Sequence, residues 1–407
     1  YEGQGIVVYK DVNKTCDSIA EYSPADARRY KEIYDEFGEI QDGVVKGMFD
    51  TPAPPSYLFQ GLENNPEGMK RLRDFQLSSR LFTLENFDTV HVREFILGWA
   101  MEPQTLHDQL GTAQGFYVMI PSIHYFGQSI PEGGSGMLSE SMRRYIEANG
   151  STVMTGATVR KFITDHGECR GIRLESGEEI LASQAVVSSL DPYQTYLTGF
   201  EDADLPSGFK DMVRRFSFGD VTIARVHYAL NEAPDFKGHP DINRTAFQRI
   251  FGNMADIDRQ YREMAAGEAP SDPFLWTAAW TTMDPTRAPE GKHTLIMDTF
   301  VPVDLASGED WEAIGPAYCR DVLLGQLRNY TTNMSDDNIL AEYVETGPSL
   351  ARANLCFHRG VTTGGERTLS QMGSFRPFPN YSDYRGPLKK FYMTGPSCHP
   401  GGGICGM

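Results

Sequence analysis

The sequence predicts an α/β protein made of two kinds of material: pieces of a doubly wound domain, and a mixed α+β region with long strands of its own. Three observations predict it. A glycine-rich loop, Pro131-Glu-Gly-Gly-Ser-Gly-Met137, opens an amphipathic helix and is followed by short β segments. Later candidate strands carry apolar residues on both faces, as sheet strands covered by helices do. Near the end, the apolar strand Phe391-Tyr-Met-Thr394 runs into Gly395-Pro396 and then into consecutive glycines.

In order along the chain, Ile6–Tyr9 reads as a short strand and a helix begins near Asp11. Ser23-Pro24-Ala25-Asp26 is a helix start, with Ser as cap, Pro in the first turn and Asp against free N–H groups. Tyr30, Ile33, Tyr34 and Phe37 then recur at helical spacing. The run Thr51-Pro-Ala-Pro-Pro-Ser56 breaks that helix, and two more are expected over about 67–81 and 83–101. After the glycine-rich loop comes a helix over Met137–Asn149, with Gly150 at the left-handed position that ends it. Strands are expected at Thr152–Met154, Thr158–Thr164, Gly171–Leu174, Glu179–Leu181 and Ala185–Val187, with a turn at Ser176-Gly177. From Pro192 the pattern gives strands at Asp220–Leu230, Phe274–Thr282, Thr294–Val301 and Ile339–Glu345, and a helix over Trp311–Tyr330. The expected division is 1–125, mostly helical; 126–191, an α/β piece; 192–345, mixed; and 346–407, a return to the α/β piece.

The totals restrict function. A chain of 407 residues accommodates two domains, and 40% hydrophobic with 23% charged residues is ordinary globular composition. A net charge of −18 without any Lys/Arg-rich run argues against a nucleic-acid partner. Cysteines at 16, 169, 319, 356, 398 and 405 form no Cys-x-x-Cys pair, which argues against a zinc ribbon or a redox couple. Reduced thiols in a cytoplasmic setting are expected. The longest apolar run, Phe95–Met101, is too short to span a bilayer, which leaves peripheral membrane contact as an alternative. The chain starts at Tyr1 and stops at Met407, directly after a run expected to open a helix, so it reads as part of a longer polypeptide.

Chemistry concentrates in His399-Pro-Gly-Gly-Gly-Ile-Cys-Gly406. Consecutive glycines bring main-chain N–H groups to a ligand without Cβ obstruction, and a helix starting there turns its positive end toward an electron-rich group. A glycine-rich linker is the alternative. Gly133-Gly-Ser-Gly136 tells a similar story, although it is neither Gly-x-Gly-x-x-Gly nor a phosphate loop. His399 is the one side chain of the terminal loop that titrates near neutral pH. It is the candidate catalytic group, for polarisation or proton transfer, with ordering of the loop backbone as the alternative. Arg376 and Arg385 balance ligand charge or form ion pairs. Cys398 and Cys405 are expected to pack as small apolar groups, a covalent link to a cofactor being the other reading. The other eight histidines show no metal spacing, so no metal site is expected, and His107, His227 and His358 read as structural.

These motifs, in this order, resemble the phytoene-desaturase-like FAD-dependent oxidoreductases. The match runs through Pro131–Leu138, Ala157–Phe162, Gly167–Ile172, Ser176-Gly177 and Val186-Val-Ser-Ser-Leu-Asp-Pro192. It continues through Met283-Asp-Pro-Thr-Arg-Ala-Pro-Glu-Gly-Lys-His293, then Arg376-Pro377, Tyr384-Arg385 and His399–Gly403. The resemblance implies a Rossmann-like FAD domain, lacking here its N-terminal βαβ fingerprint, and a mixed α+β substrate domain. Segments 126–191 and 346–407 fall in the first, and 1–125 and 192–345 in the second. It further implies that Val159 meets the adenine side through its backbone, with Ser188 at a strand end near it. Gly395, Pro396, Gly402, Gly403 and Ile404 are implied along the ribityl chain and isoalloxazine. The implied activity is dehydrogenation or desaturation of a bulky, largely apolar molecule such as an isoprenoid or carotenoid. Oxygen, a quinone or another acceptor then takes the electrons. A flavin amine oxidase and a non-catalytic lipid escort of the Rab GDP-dissociation-inhibitor architecture stand as alternatives, and homo-oligomerisation stays open.

Overall fold

The computed structural model describes residues 5–64, 66–100 and 105–402. The chain divides into two units. The first comprises Tyr1–Glu39, Gln76–Tyr145 and Asp220–Ala353, and the second Ile40–Phe75, Ile146–Gly219 and Asn354–Met407. In chain order the strands are β1 (Val159–Asp165), β2 (Glu168–Leu174), β3 (Glu179–Leu181), β4 (Val186–Ser188), β5 (Val221–Leu230), β6 (Phe247–Ile250), β7 (Leu275–Ala278), β8 (His293–Pro302), β9 (Ile339–Glu345) and β10 (Phe391–Met393).

The first unit holds an antiparallel sheet of order β6-β7-β8-β5-β9. Strands β5 and β8 pair along their whole length, from Val221 opposite Pro302 to Leu230 opposite His293. Alternation then sets the faces. Ala224, Val226, Tyr228 and Leu230 pack with Leu295, Met297 and Val301 against Trp311, Tyr318, Leu323 and Leu327. The opposite face carries a polar cluster. Arg225 donates from Nε to Asp298 at 2.9 Å, and His227 Nε2 lies 2.7 Å from Glu345 Oε2.

Several expectations are corrected here. Ile6–Tyr9 is not a strand: Val7 N–H donates to Ser18 Oγ at 3.0 Å and Tyr9 N–H to Thr15 Oγ1 at 2.9 Å, so side chains of the following helix satisfy these donors in place of a neighbouring strand. The stretch 67–101 forms three helices rather than two, Pro66–Gln76, Ser79–Asn86 and Val90–Ala100. Ser78 caps the second, its Oγ accepting from Leu81 N–H at 3.2 Å. The third is held by Asp26, which is only 1% exposed and accepts from Asp88 N–H at 2.8 Å, Thr89 N–H at 3.0 Å and the Thr89 hydroxyl at 2.6 Å. Burial pulls the Asp26 carboxyl upward, but these hydrogen bonds outweigh it and hold the group below its usual range. The helix expected over Trp311–Tyr330 contains a π-helical stretch, Cys319–Leu324, shortly after Pro316, which removes a main-chain donor. β7 ends at Ala278, and a 3₁₀ turn, Trp280–Thr282, takes the last part of the expected strand. β6 went unrecognised because Gln248 and Arg249 break its apolar pattern, as at many sheet edges.

In the second unit β1, β2 and β3 form an antiparallel meander, while β4 and β10 pair in parallel. Thr152–Met154, expected as a strand, has no strand geometry. The core is aromatic: Phe162, Tyr196, Phe200, Phe209, Phe378 and Phe391 pack together with Cys169 and Cys398. Gly171 is required in β2, since a Cβ there would lie 2.2 Å from Ile180 O of the neighbouring strand. The helix opened by the glycine-rich loop spans Ser135–Ala148, and Gly150 takes φ +80° just beyond it.

Candidate functional site

Two motifs about two hundred residues apart meet in the second unit. Phe391, Tyr392 and Met393 pair with Val186, Val187 and Ser188, and the ladder continues as Thr394 N–H donates to Ser188 O at 2.8 Å. Both strands therefore end together. The carboxyl ends of adjacent parallel strands are where open α/β sheets bind ligands. Gly395 follows at φ +92°, where a Cβ would stand 3.3 Å from Ser189 O. Backbone lies against backbone here, and glycine alone suits both the angle and the space. Ser188 presents main chain rather than hydroxyl, since its Oγ is turned inward 3.1 Å from Thr195 Oγ1.

Arg376 holds the loop after Gly395. It is 1% exposed and donates to five main-chain carbonyls: Pro396 at 2.6 Å, Glu366 at 3.0 Å, Cys398 at 3.2 Å, and Gly365 and Gln371 at 3.4 Å. Burial draws its pKa down to about 10, and the nearby Arg367 adds to this, so the group stays charged at neutral pH. Arg376 is thus a buried organiser of the loop, a role different from the ligand-charge balance or ion pairing expected from the sequence. Arg385 is a surface group, 3.1 Å from the Tyr392 hydroxyl and 3.6 Å from Asp383. Burial pushes the Cys398 thiol up to about 12, so it packs as a small apolar group.

His399 follows Cys398. Its Nε2 lies 2.7 Å from the carbonyl of Gly47, in the last turn of the helix Pro24–Phe49. Its Nδ1 is buried with no hydrogen-bond partner. Burial lowers the ring's pKa below the usual histidine value, with the Gly47 carbonyl acting in the opposite direction. Gly401 takes φ +110°, and the Gly402 carbonyl accepts from Arg367 at 3.1 Å. Val159 pairs with Leu174 and connects to β10 through Phe162 on its own strand, whose ring packs edge-on to Phe391 at 5.0 Å. Gly403, Ile404 and Cys405 lie outside the described residues. Side-chain-free backbone at positive φ, in a loop held by a buried cation, is chemistry that fits FAD.

The first unit contains a feature that the sequence did not reveal. Asp284 joins the two other matched loops: its Oδ2 accepts from Gly133 N–H at 2.8 Å and Arg287 Nε at 2.9 Å, while Arg287 Nη2 donates to Pro131 O at 2.6 Å. The Asp-Pro pair at 284–285 was the available signal, since such a carboxylate caps the turn after it. Beside this clamp opens a cavity of about 470 Å³, lined by Gly133, Gly134, His227, Trp280, Arg287 and Tyr343 among others. The hydroxyl of Thr286 first, and then Arg287, hold the Asp284 carboxyl down to about 2. A depressed carboxylate stabilises above its unfolded pKa, near 4, and that contribution fades as pH falls through the folded value. D284N is expected to lower the melting temperature at pH 7 and to flatten its decline between about pH 4 and 2. Parallel melting curves for mutant and wild type across that window would refute this.

Among the described residues, no helix is long and apolar enough to cross a membrane, and no group of three His, Cys, Asp or Glu is placed to hold a metal ion.

No protein-family profile matches the chain. It is 25% identical over 427 residues to a limonene dehydrogenase polypeptide of Castellaniella defragrans, covering 99% of this chain and 76% of that protein. It is 30% identical over 290 residues to pyridine nucleotide-disulfide oxidoreductase domain-containing protein 2 of Mus musculus, covering 68% of this chain and 49% of that one. A lycopene-forming phytoene desaturase from a Paracoccus species is 26% identical over 402 residues, covering 96% and 73%. The chain therefore spans from about half to about three quarters of these relatives' lengths. Among solved structures, an oxidoreductase from Methanosarcina mazei superposes with a TM-score of 0.51 at 16% identity, over 81% of this chain and 65% of that one. Putrescine oxidase bound to putrescine superposes with a TM-score of 0.53 at 12% identity, over 91% and 70%. These two share the fold. In the order of its motifs and in its curated relatives the chain is similar to the phytoene-desaturase-like FAD-dependent oxidoreductases.

Proposed function

We propose that the protein is an FAD-dependent dehydrogenase or desaturase of a bulky, largely apolar substrate. The observation that carries this reading is the parallel pairing of β4 with β10, which brings Ser188 and Gly395 to one ligand-accepting strand edge. In this reading the backbone at Val159 and Ser188 meets the nucleotide half of FAD, while Gly395, Pro396, Gly402, Gly403 and Ile404 follow the ribityl chain and ring. Bound FAD supplies the hydride acceptor. His399 would take part in moving the companion proton, and Arg376 would keep its loop rigid. The cavity beside Trp280 and Tyr343 receives part of the substrate, its aromatic walls suiting an apolar molecule. Relatives named for limonene and phytoene support a hydrocarbon substrate of isoprenoid type. Electrons pass on to oxygen, a quinone or another acceptor.

The reading includes a βαβ unit that extends the parallel sheet. Two parallel strands with Val187 61% exposed make an incomplete sheet, because parallel sheets are stable with several strands and both faces covered. The test is spectroscopic. Protein reconstituted with FAD is expected to retain flavin absorbance and to bleach anaerobically with a monoterpene or carotene, and not with an amine. A colourless protein, or bleaching by amines alone, would overturn the proposal.

A further inference from the structure

We propose that the cavity over β5, β8 and β9 binds the hydroxyl end of a largely apolar alcohol, with Nδ1 of His227 as its hydrogen-bond partner. The inference rests on the reading above, in which this cavity receives part of the substrate, and names the class of that substrate.

The sheet register builds the site. On the face turned away from the core, three successive cross-strand rows run Thr294–Ala229–Ala341, Ile296–His227–Tyr343 and Asp298–Arg225–Glu345. The first row is small, so space opens above it, and all three of its residues line the cavity of about 470 Å³. Trp280 and Tyr343 add aromatic surface to the lining. The volume is that of an ordinary small-molecule site.

The third row is charged and satisfied within itself. Arg225 donates from Nε and Nη2 to Asp298, and Glu345 accepts from His227 Nε2 at 2.7 Å. A carboxylate only accepts, so Nε2 carries the proton of that bond. His227 thus stands between a charged row and an apolar floor, anchored on the charged side. Its Nδ1 makes no hydrogen bond among the described residues, and the side chain is 35% exposed where it lines the cavity. Nδ1 is therefore a polar atom that a ligand reaches without any rearrangement.

The surrounding charges select the ligand. A carboxylate or phosphate needs an unmatched cation. Arg287, the full cation of the lining, lies 2.9 Å from Asp284, His227 is paired with Glu345, and Glu342 adds a further negative charge. A plain hydrocarbon covers Nδ1 without bonding it, which weakens binding. A hydroxyl donates to Nδ1 of a neutral ring and accepts from Nδ1–H of a charged one, so it suits both states. An ammonium group only donates and suits the neutral ring alone.

The test uses the whole protein without FAD and one carbon skeleton: menthol, the parent hydrocarbon menthane, and the matching amine and carboxylate, with affinities read by calorimetry. H227Q places an amide N–H near Nε2, keeping the Glu345 bond while removing Nδ1. It is expected to weaken menthol roughly tenfold, the effect of one lost hydrogen bond, and to leave menthane nearly unchanged. H227N, whose amide lies near the place of Nδ1, is expected to recover part of the loss. A341W fills the cavity floor from an exposed position on β9 and is expected to weaken menthol and menthane alike. It keeps the test decisive even if the His227 variants do not fold. Menthol binding that ignores H227Q or A341W would overturn the inference, as would tighter, His227-dependent binding of the amine or the carboxylate. Flavin uptake is measured separately. A yellow protein that bleaches with hydrocarbons but shows no His227-dependent menthol binding loses this inference alone. His227-dependent menthol binding in a protein that stays colourless with FAD upholds the cavity's ligand class and sinks the flavin reading.

Discussion

R376M is expected to cost the second unit at least about 3 kcal/mol of stability, with the loss centred on residues 365–371 and 396–398. The side chain it removes is the largest among the fully buried ones and satisfies five main-chain carbonyls. Methionine fills much of the volume but offers no donor, so those oxygens lose their partners where water cannot replace them. R376K is expected to fall between wild type and R376M, because an ammonium has three donors and no planar fork to reach carbonyls from two loop segments. Urea unfolding followed by an aromatic signal of this unit gives the value. A loss below about 0.5 kcal/mol for R376M, the range of ordinary surface changes, would mean that the five bonds add little.

F391A is expected to cost about 3–5 kcal/mol, as aromatic truncations in closed cores do. Phe391 is 1% exposed and packs edge-on to Phe162 and Phe200 at 5.0 Å and to Tyr196 at 5.9 Å. It also begins β10, opposite Val186, so the cavity opens beneath the strand that delivers Gly395. Faster amide exchange at Met393 and Thr394 should accompany the lost stability. F391L, which keeps more of the volume, is expected to cost under about 1.5 kcal/mol once its neighbours repack. V187A, on the exposed side chain of the facing strand, serves as the control and should change stability by no more than about 0.5 kcal/mol. Equal losses for F391A and V187A would show that this core does not anchor the strand.

Much of the local structure was legible. The sequence located β3 and β9 to the residue and β5 and β8 to within one residue at each end, because short apolar and β-branched runs bounded by polar or turn residues are a local signal. Ser23-Pro24 marked the start of the helix Pro24–Phe49, and the glycine run after Pro131 marked that of Ser135–Ala148. Two of the expectations that failed did so where side chains replaced a regular partner. Ser18 and Thr15 satisfied the main chain near Val7, and Asp26 held the start of the helix Val90–Ala100 from 62 residues away.

The candidate site divides in the same way. Residue type and motif order alone pointed to the glycines after Phe391, to His399 and to the strand ending at Ser188. No local pattern shows that β10 pairs with β4, that Arg376 is spent on five carbonyls, or that the proton of His399 sits on Nε2 because Gly47, 352 residues earlier, passes beside it. Strand period, caps and turn chemistry act over a few residues, and the sequence determines them directly. The partner of a buried donor or acceptor is whichever distant backbone the packed core brings within 3 Å or so, and only the tertiary structure decides that.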